Sequence, residues 1–208
     1  MRREVEAEGA RVLARCLDVR DLPGLRSLAD ETRRTFGAVH GLVNNAGILS
    51  TIPISRVPFE EIPDAEWDAV FDTNIKGMWY ACRAFVPLMR GHGGSVVNVS
   101  SSTVLIGGPT RAHYVASKAA VIGFTRVLSR ELGADGIRVN TLMPGSTLSE
   151  EDPSPETRKM REEAVARRAL KRVEVPEDLV GAVVFLLSED SAFMTAQTLA
   201  VDGGVVMR

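Results

Sequence analysis

Little in this 208-residue chain points to a crosslinked, membrane-spanning or nucleic-acid-binding protein. Its two cysteines, Cys16 and Cys82, are too few for a disulfide framework, and they read as small core residues, Cys16 in a strand and Cys82 in a helix. No apolar run approaches the roughly 18–20 residues that cross a bilayer. The opening Met1-Arg2-Arg3-Glu4 has no apolar region behind it, so a cytoplasmic location is expected. With 25 Lys and Arg against 27 Asp and Glu, there is no basic surplus for nucleic acid. Internal repeats, low-complexity tracts and linkers are also missing. What remains, 45% hydrophobic residues with 18 glycines, suits one α/β domain over residues 1–208 with a sizeable core.

Apolar strand-like segments alternate with amphipathic helices, the pattern of βα units and a parallel sheet. Arg11–Leu17 reads as a strand, and Asp21 to Phe36 as a helix turning Leu25, Leu28 and Phe36 inward before Gly37 ends it. Strand Val39–Val43 runs into Asn44-Asn45-Ala46-Gly47. Asp64 is expected to cap a helix in which Trp67, Val70, Phe71, Met78, Phe85 and Met89 recur at helical spacing. Strand Ser95–Val99 runs into Ser100-Ser101-Ser102. Tyr114 to Leu132 is a helix, Ile137–Leu142 a strand before Pro144-Gly145, and Ser146 to Arg172 a charged, proline-interrupted stretch that reads as a mobile cover. A helix over Glu177–Leu187 and a strand over Gln197–Val201 close the chain.

Chemistry concentrates at Tyr114-Val115-Ala116-Ser117-Lys118, with Ser101 thirteen residues upstream of Tyr114. A free phenol, with a pKa near ~10, is a poor base at neutral pH unless a cation favours the phenolate. On a helix, residues four apart lie one above the other, so Lys118 stands one turn from Tyr114 and can act as that cation. A shift of two to three units corresponds to roughly 3–4 kcal/mol. Alone, a tyrosine four residues before a lysine is as well read as an amphipathic helix with a solvated lysine. Its company argues otherwise: two buried strands end in small polar residues, and open parallel sheets bind ligands at that edge.

Six segments in this order resemble the short-chain dehydrogenase/reductase family over nearly the whole chain. They are Leu17-Asp18-Val19, Asn44 to Gly47, Asn74-Ile75-Lys76-Gly77, the Ser101/Tyr114/Lys118 set, Asn140 to Gly145, and Val201-Asp202-Gly203-Gly204. The resemblance implies a Rossmann-like, doubly wound parallel sheet with helices on both faces. It also implies an NAD or NADP cofactor, with hydride transfer between a secondary alcohol and a ketone. In that scheme Tyr114 is the acid/base, Lys118 lowers its pKa, Ser101 orients the substrate oxygen, and Asn74 orders a water that completes a proton relay. Asn45, Ala46 and Gly47 would lie along the ribose, Asp18 and Val19 border the adenine, and Pro144, Gly145, Thr147 and Ser149 meet the nicotinamide end. Bland readings stand beside these: a plain surface asparagine, a strand-ending turn, a solvated aspartate. His113, beside Tyr114, could touch substrate, but it is read as an exposed histidine. A homodimer or homotetramer, joined through Asp64–Arg90 and Tyr114–Leu132, is expected, with a small alcohol or ketone as substrate.

The departure from the family is the three-glycine turn that holds the cofactor pyrophosphate. Gly9, Gly24 and Gly37 are isolated, and Gly91-His92-Gly93-Gly94 leads into a strand. By the resemblance, the first two strands are missing and the chain is a truncated form of a longer enzyme. The strand ending at Asn44 then becomes a sheet edge, unless Arg11–Leu17 or another chain covers it. Hence the alternative: a catalytically silent, cofactor-free subunit that keeps the family's oligomerisation surfaces. The sequence does not discriminate NAD from NADP.

Overall fold

The structure, a computed structural model, describes residues 2–48, 54–150 and 152–207. Four parallel strands, β1 (Gly41–Asn44), β2 (Gly94–Val99), β3 (Ile137–Pro144) and β4 (Thr198–Val201), form one sheet in the order β1-β2-β3-β4. Each crossover carries helix, as parallel pairing requires. The helices are α1 (Arg2–Ala7), α2 (Leu22–Phe36), α3 (Asp64–Phe71), α4 (Met78–Phe85), α5 (Thr103–Ile106), α6 (Ala112–Leu132), α7 (Pro155–Val165) and α8 (Glu177–Leu187).

Successive strand residues face opposite sides, and the core divides accordingly. Val96 packs with Ile137 and Val139 of β3 and with Cys82, Val86, Met89 and Leu132, from α4, α6 and the turns that follow α4. Val97 packs on the other face with Leu142 and with Leu186 of α8. Helices therefore cover both faces, as the sequence implies. Helix α2 lies against α4 through Leu25, Ala29 and Ala84. Its N-cap is Asp21, whose carboxylate accepts from the Gly24 amide at 3.1 Å.

Four details depart from the sequence reading. Arg11–Leu17 is not a strand: among the described residues it has no ladder partner, and Leu17 instead packs on the α2–α4 cluster. Cys16, on that segment, is exposed, whereas Cys82 is buried. Asp64 is the first residue of α3 and Pro63 its N-cap, because the chain enters from an extended proline. The cover after β3, read without regular structure, contains the helix α7, whose N-cap Ser154 accepts from the Thr157 amide. Behind α7, Arg168 donates to Ser146 O at 2.7 Å and to Glu174 Oε2 at 3.3 Å. That pair is buried, so its charges are held by mutual hydrogen bonds rather than water.

Candidate active site

The residues with chemical potential meet at the carboxyl edge of β1, β2 and β3. Past Val99 the chain still follows β3, with the Ser100 amide on Leu142 O and the Ser102 amide on Pro144 O. This fixes Ser101 against α6. Its Oγ accepts from Thr103 Oγ1 at 2.9 Å and lies near enough to the Tyr114 phenol to influence its pKa. Ser100 Oγ donates to Lys118 O at 2.7 Å, tying α6 to the strand end.

Tyr114 and Lys118 lie one turn apart on α6 and are both buried, with Lys118 Nζ 5.9 Å from the Tyr114 ring centroid. The ammonium donates to Val99 O at 3.0 Å. Burial, with no carboxylate beside it among the described residues, brings the Lys118 pKa down to about 8. Burial pushes the Tyr114 phenol above its usual value; the Ser101 hydrogen bond and the Arg111 and Arg161 charges pull it part of the way back. In the protein alone, burial is thus the leading influence on both groups.

Asn74 lies in a π-helical turn, Asp72–Gly77, between α3 and α4. Such turns break the regular ladder and often mark functional sites. Asn74 is fully buried; its Oδ1 accepts from the Ile48 amide at 2.8 Å and its Nδ2 donates to Ser117 Oγ at 3.0 Å. It thereby joins the end of β1 to α6. Gly47 passes so close that a Cβ there would stand 3.2 Å from Asn74 Oδ1 and 3.3 Å from Lys118 Nζ. An added Cβ would fit only if Asn74 or Lys118 gave way by a few tenths of an ångström, so glycine eases the close approach of the backbone to the lysine.

Asn45 and Ala46 are exposed at the same edge. Pro144 ends β3; the Gly145 amide and Thr147 Oγ1 both donate to Glu174 Oε1, at 3.1 and 2.6 Å. Val19 packs on the π turn at Gly77, where an added Cβ would meet its Cγ2 at 2.7 Å. Asp18, exposed, is bound by Arg20, which holds its pKa near 2. Ser149 is exposed on the rim with its amide on Glu150. The structure therefore gathers Asn74, Ser101, Tyr114, Lys118 and Gly47 into one cluster. Asn45, Ala46, Pro144, Gly145 and Thr147 share its edge, and Asp18, Val19 and Ser149 lie further out.

His113 is a correction. Read from sequence as exposed, it is fully buried, its Nε2 2.7 Å from Glu66 Oε1 and its ring stacked on Trp67. A carboxylate only accepts, so Nε2 carries the proton, while the buried Nδ1 has no partner. The same Glu66 oxygen accepts from the Ser55 amide and hydroxyl, at 2.9 and 2.8 Å. This bridge, unseen in the sequence, fastens the chain after β1 to the start of α6. Only the adjacency of His113 to Tyr114 hinted at it.

A parallel sheet with helices on both faces and a Ser-Tyr-Lys cluster at its carboxyl edge defines an α/β oxidoreductase of the Rossmann type. A family model described as enoyl-(acyl carrier protein) reductase matches residues 1–206. The chain is 36% identical over 208 residues to the 3-oxoacyl-[acyl-carrier-protein] reductase FabG of Thermotoga maritima, covering 97% of this chain and 81% of that protein. It is 38% identical over 209 residues to the L-rhamnose 1-dehydrogenase (NAD(P)(+)) of a Sphingomonas species, covering 97% and 79%. A solved structure assigned as a short-chain alcohol dehydrogenase from Sinorhizobium meliloti superposes with a TM-score of 0.88 at 32% identity, over 98% of this chain and 80% of that one. The chain belongs to the short-chain dehydrogenase/reductase family and is an NAD(P)-dependent oxidoreductase. No helix among the described residues is long and apolar enough to cross a membrane.

Proposed function

We propose that the chain interconverts a secondary alcohol and a ketone, with Tyr114 as the acid/base. One observation carries this reading: the Tyr114 phenol is buried one helical turn from Lys118, with Ser101 beside it, at the ligand-binding edge of the sheet. In the reducing direction Tyr114 gives its proton to the carbonyl oxygen while Ser101 Oγ hydrogen-bonds the same oxygen. In the oxidising direction the phenolate takes that proton back. Bound NAD(P) supplies or accepts the hydride. Lys118, with a pKa of about 8, still carries its proton at neutral pH and favours the phenolate. Asn74, which spans from Ile48 to Ser117, completes the proton path behind the lysine.

The edge residues fit the cofactor. Asn45, Ala46 and Gly47 offer small groups and close backbone approach for a ribose, next to Tyr114 and Lys118. Pro144, Gly145, Thr147 and Ser149 flank the nicotinamide end, and Asp18 with Val19 the adenine. Exposed Trp67, Trp79 and Val127 lie on the helices through which a homodimer or homotetramer would assemble. Analytical ultracentrifugation tests that assembly.

The central test is Tyr114→Phe. Turnover should fall by at least roughly 10²- to 10⁴-fold, the usual worth of a positioned acid/base. Nucleotide binding should survive, read as the thermal stabilisation by NAD or NADP, which reaches about 2.7 kcal/mol at a hundred times the dissociation constant. Unchanged turnover would show that the proton comes from elsewhere. Stabilisation by one nucleotide in the parent protein names the coenzyme; stabilisation by neither favours the silent-subunit reading.

A further inference from the structure

Three arginines from three separate segments gather around the start of α6: the charges of Arg111 and Arg161 reach Tyr114, and Arg56, next to the Ser55 that Glu66 ties to His113, reaches Arg111. Arg56 comes from the chain after β1, Arg111 from the turn that opens α6, three residues before Tyr114, and Arg161 from α7. Arg161, about nine-tenths buried, spends its charge within the protein: Nη1 donates to Ser146 Oγ at 2.9 Å and Nη2 to Glu150 Oε1 at 3.0 Å, while Nε is buried without a partner. Arg111 is half-buried and, among the described residues, has no carboxylate partner. Burial and then the neighbouring charge of Arg56 lower its pKa, with Arg161 adding to the effect. Arg56 is exposed, and among the described residues its Nη2 meets the thioether of Met160 on α7, at 3.2 Å. A thioether is a weak acceptor for a guanidinium. Glu66, the next carboxylate in this region, is already occupied by Ser55 and His113. The amino end of α6 adds its own partial positive charge.

Among the described residues, only one of these three cations, Arg161, has a carboxylate partner, Glu150, near the group proposed to exchange the substrate's proton. Holding like charges together in a half-buried site is costly, and an oxyanion that accepts from both free guanidiniums relieves that cost. We infer that the substrate of this site is itself anionic, an alcohol or ketone carrying a carboxylate or phosphate group that is received by Arg111 and Arg56. The inference rests on the oxidoreductase reading and narrows its substrate class. The planar guanidinium fork suits either oxyanion.

Calorimetric titrations at fixed ionic strength, with whichever of NAD and NADP stabilises the protein present, compare malonate, inorganic phosphate and neutral dimethyl malonate. Malonate or phosphate should bind the parent protein and the diester should not. Arg111→Gln should weaken that binding at least tenfold, and the exposed Arg56→Gln, which leaves the fold untouched, severalfold. No oxyanion binding, or binding unchanged in both variants, overturns the inference. The preferred anion decides between carboxylate and phosphate. In turnover, 3-oxo acids compared with their methyl esters should show at least a tenfold advantage in kcat/KM for the acids, reduced in Arg111→Gln. Esters turned over as well as acids would sink the anionic substrate while leaving the redox chemistry standing. Turnover of both that survives Tyr114→Phe would instead overturn the acid/base assignment.

Discussion

Strands β1 and β2 run side by side in register, Val43 beside Val97 and Asn44 beside Asn98, yet the two strands live in different surroundings. From Ser95 to Val99 every residue of β2 is buried, whereas Gly41 and Val43 of β1 are exposed, Val43 at 39% against none for Val97. A central strand with helices on both faces can hold polar residues only if each is satisfied. β2 does so through a buried relay: Asn44 Nδ2 donates to Asn98 Oδ1 at 2.8 Å, Asn98 Nδ2 to Thr125 Oγ1 at 2.9 Å, and Thr141 Oγ1 to Thr125 Oγ1 at 3.0 Å. That relay fixes α6 to β1, β2 and β3, so Tyr114 and Lys118 ride on the rigid side of the molecule. The lesson is that the candidate chemistry stands on the strands whose neighbours are all present, and the tolerant positions lie on the edge.

The sharpest test of that division is Lys118→Met. On the rigid side a buried ammonium is a cost to the fold, retained for its chemistry. The Lys118 pKa falls from 10.5 to about 8 on folding, so below pH 8 the folded state must hold a charge it would rather lose. That penalty is full at neutral pH, fades as pH rises from about 8 to 10.5, and is gone where both states are neutral. Lys118→Met should therefore cut turnover by roughly 10²- to 10⁴-fold while stabilising the protein by about 1–3 kcal/mol at pH 7, part of the gain being offset by the lost bond to Val99 O. The stability gain should shrink towards pH 10. Denaturant melts of both proteins at pH 7 and pH 10 check it, and a variant that loses stability at pH 7 contradicts the account.

Next in size is Asn98→Ala. It strands Asn44 Nδ2, left with the Cys82 sulfur at 3.4 Å, and removes the donor to Thr125 in a dry core. A loss of about 2–4 kcal/mol is expected, measured as a shift in the urea midpoint at unchanged slope. His113→Phe should cost less, about 1–2 kcal/mol. It frees the chain around Ser55 from α6, so kcat/KM should fall roughly tenfold through misplacement beside Tyr114. If the His113–Glu66 bridge positions that chain, Glu66→Gln, which keeps an acceptor for Nε2, should recover most of the activity. Equal losses in both variants would show that the bridge depends on the carboxylate charge and not merely on an acceptor for Nε2.

Much of the rigid side was legible in the sequence because its signals are local. Tyr114 and Lys118 declare themselves by a one-turn spacing, Asn74 by sitting where a helix wants a better former, and β2 by an apolar run ending in serines. What escaped depends on partners far along the chain. Arg11–Leu17 has the composition of a strand, but a strand exists only when a neighbour supplies its ladder, and composition does not reveal the neighbour. His113 shows no sign of its burial, because Glu66 and Ser55 lie 47 and 58 positions away. Arg56, Arg111 and Arg161 carry no sequence signal of their shared neighbourhood, because they lie on three segments far apart along the chain. The ordering of α7 behind the Arg168–Glu174 pair was hidden for the same reason.

The smallest effect belongs to the edge. Val43→Lys should change stability by no more than about 0.5 kcal/mol, because the site is already partly in water and the long lysine stem can cover the same apolar surface while its ammonium stays solvated. A lysine on an edge strand also disfavours pairing with another chain, so any self-association through β1 should weaken, which light scattering against concentration would read. The partner substitution, Val97→Lys, should unfold the protein, since it places a charge between β2 and Leu186 with no acid in reach. The two substitutions fall on positions opposite each other in one ladder, so propensity and local sequence cancel and the difference reports burial alone. If Val43→Lys proved as damaging as Val97→Lys, β1 would be a covered strand in solution, and the division between a rigid centre and a tolerant edge would fail at the position chosen to define it.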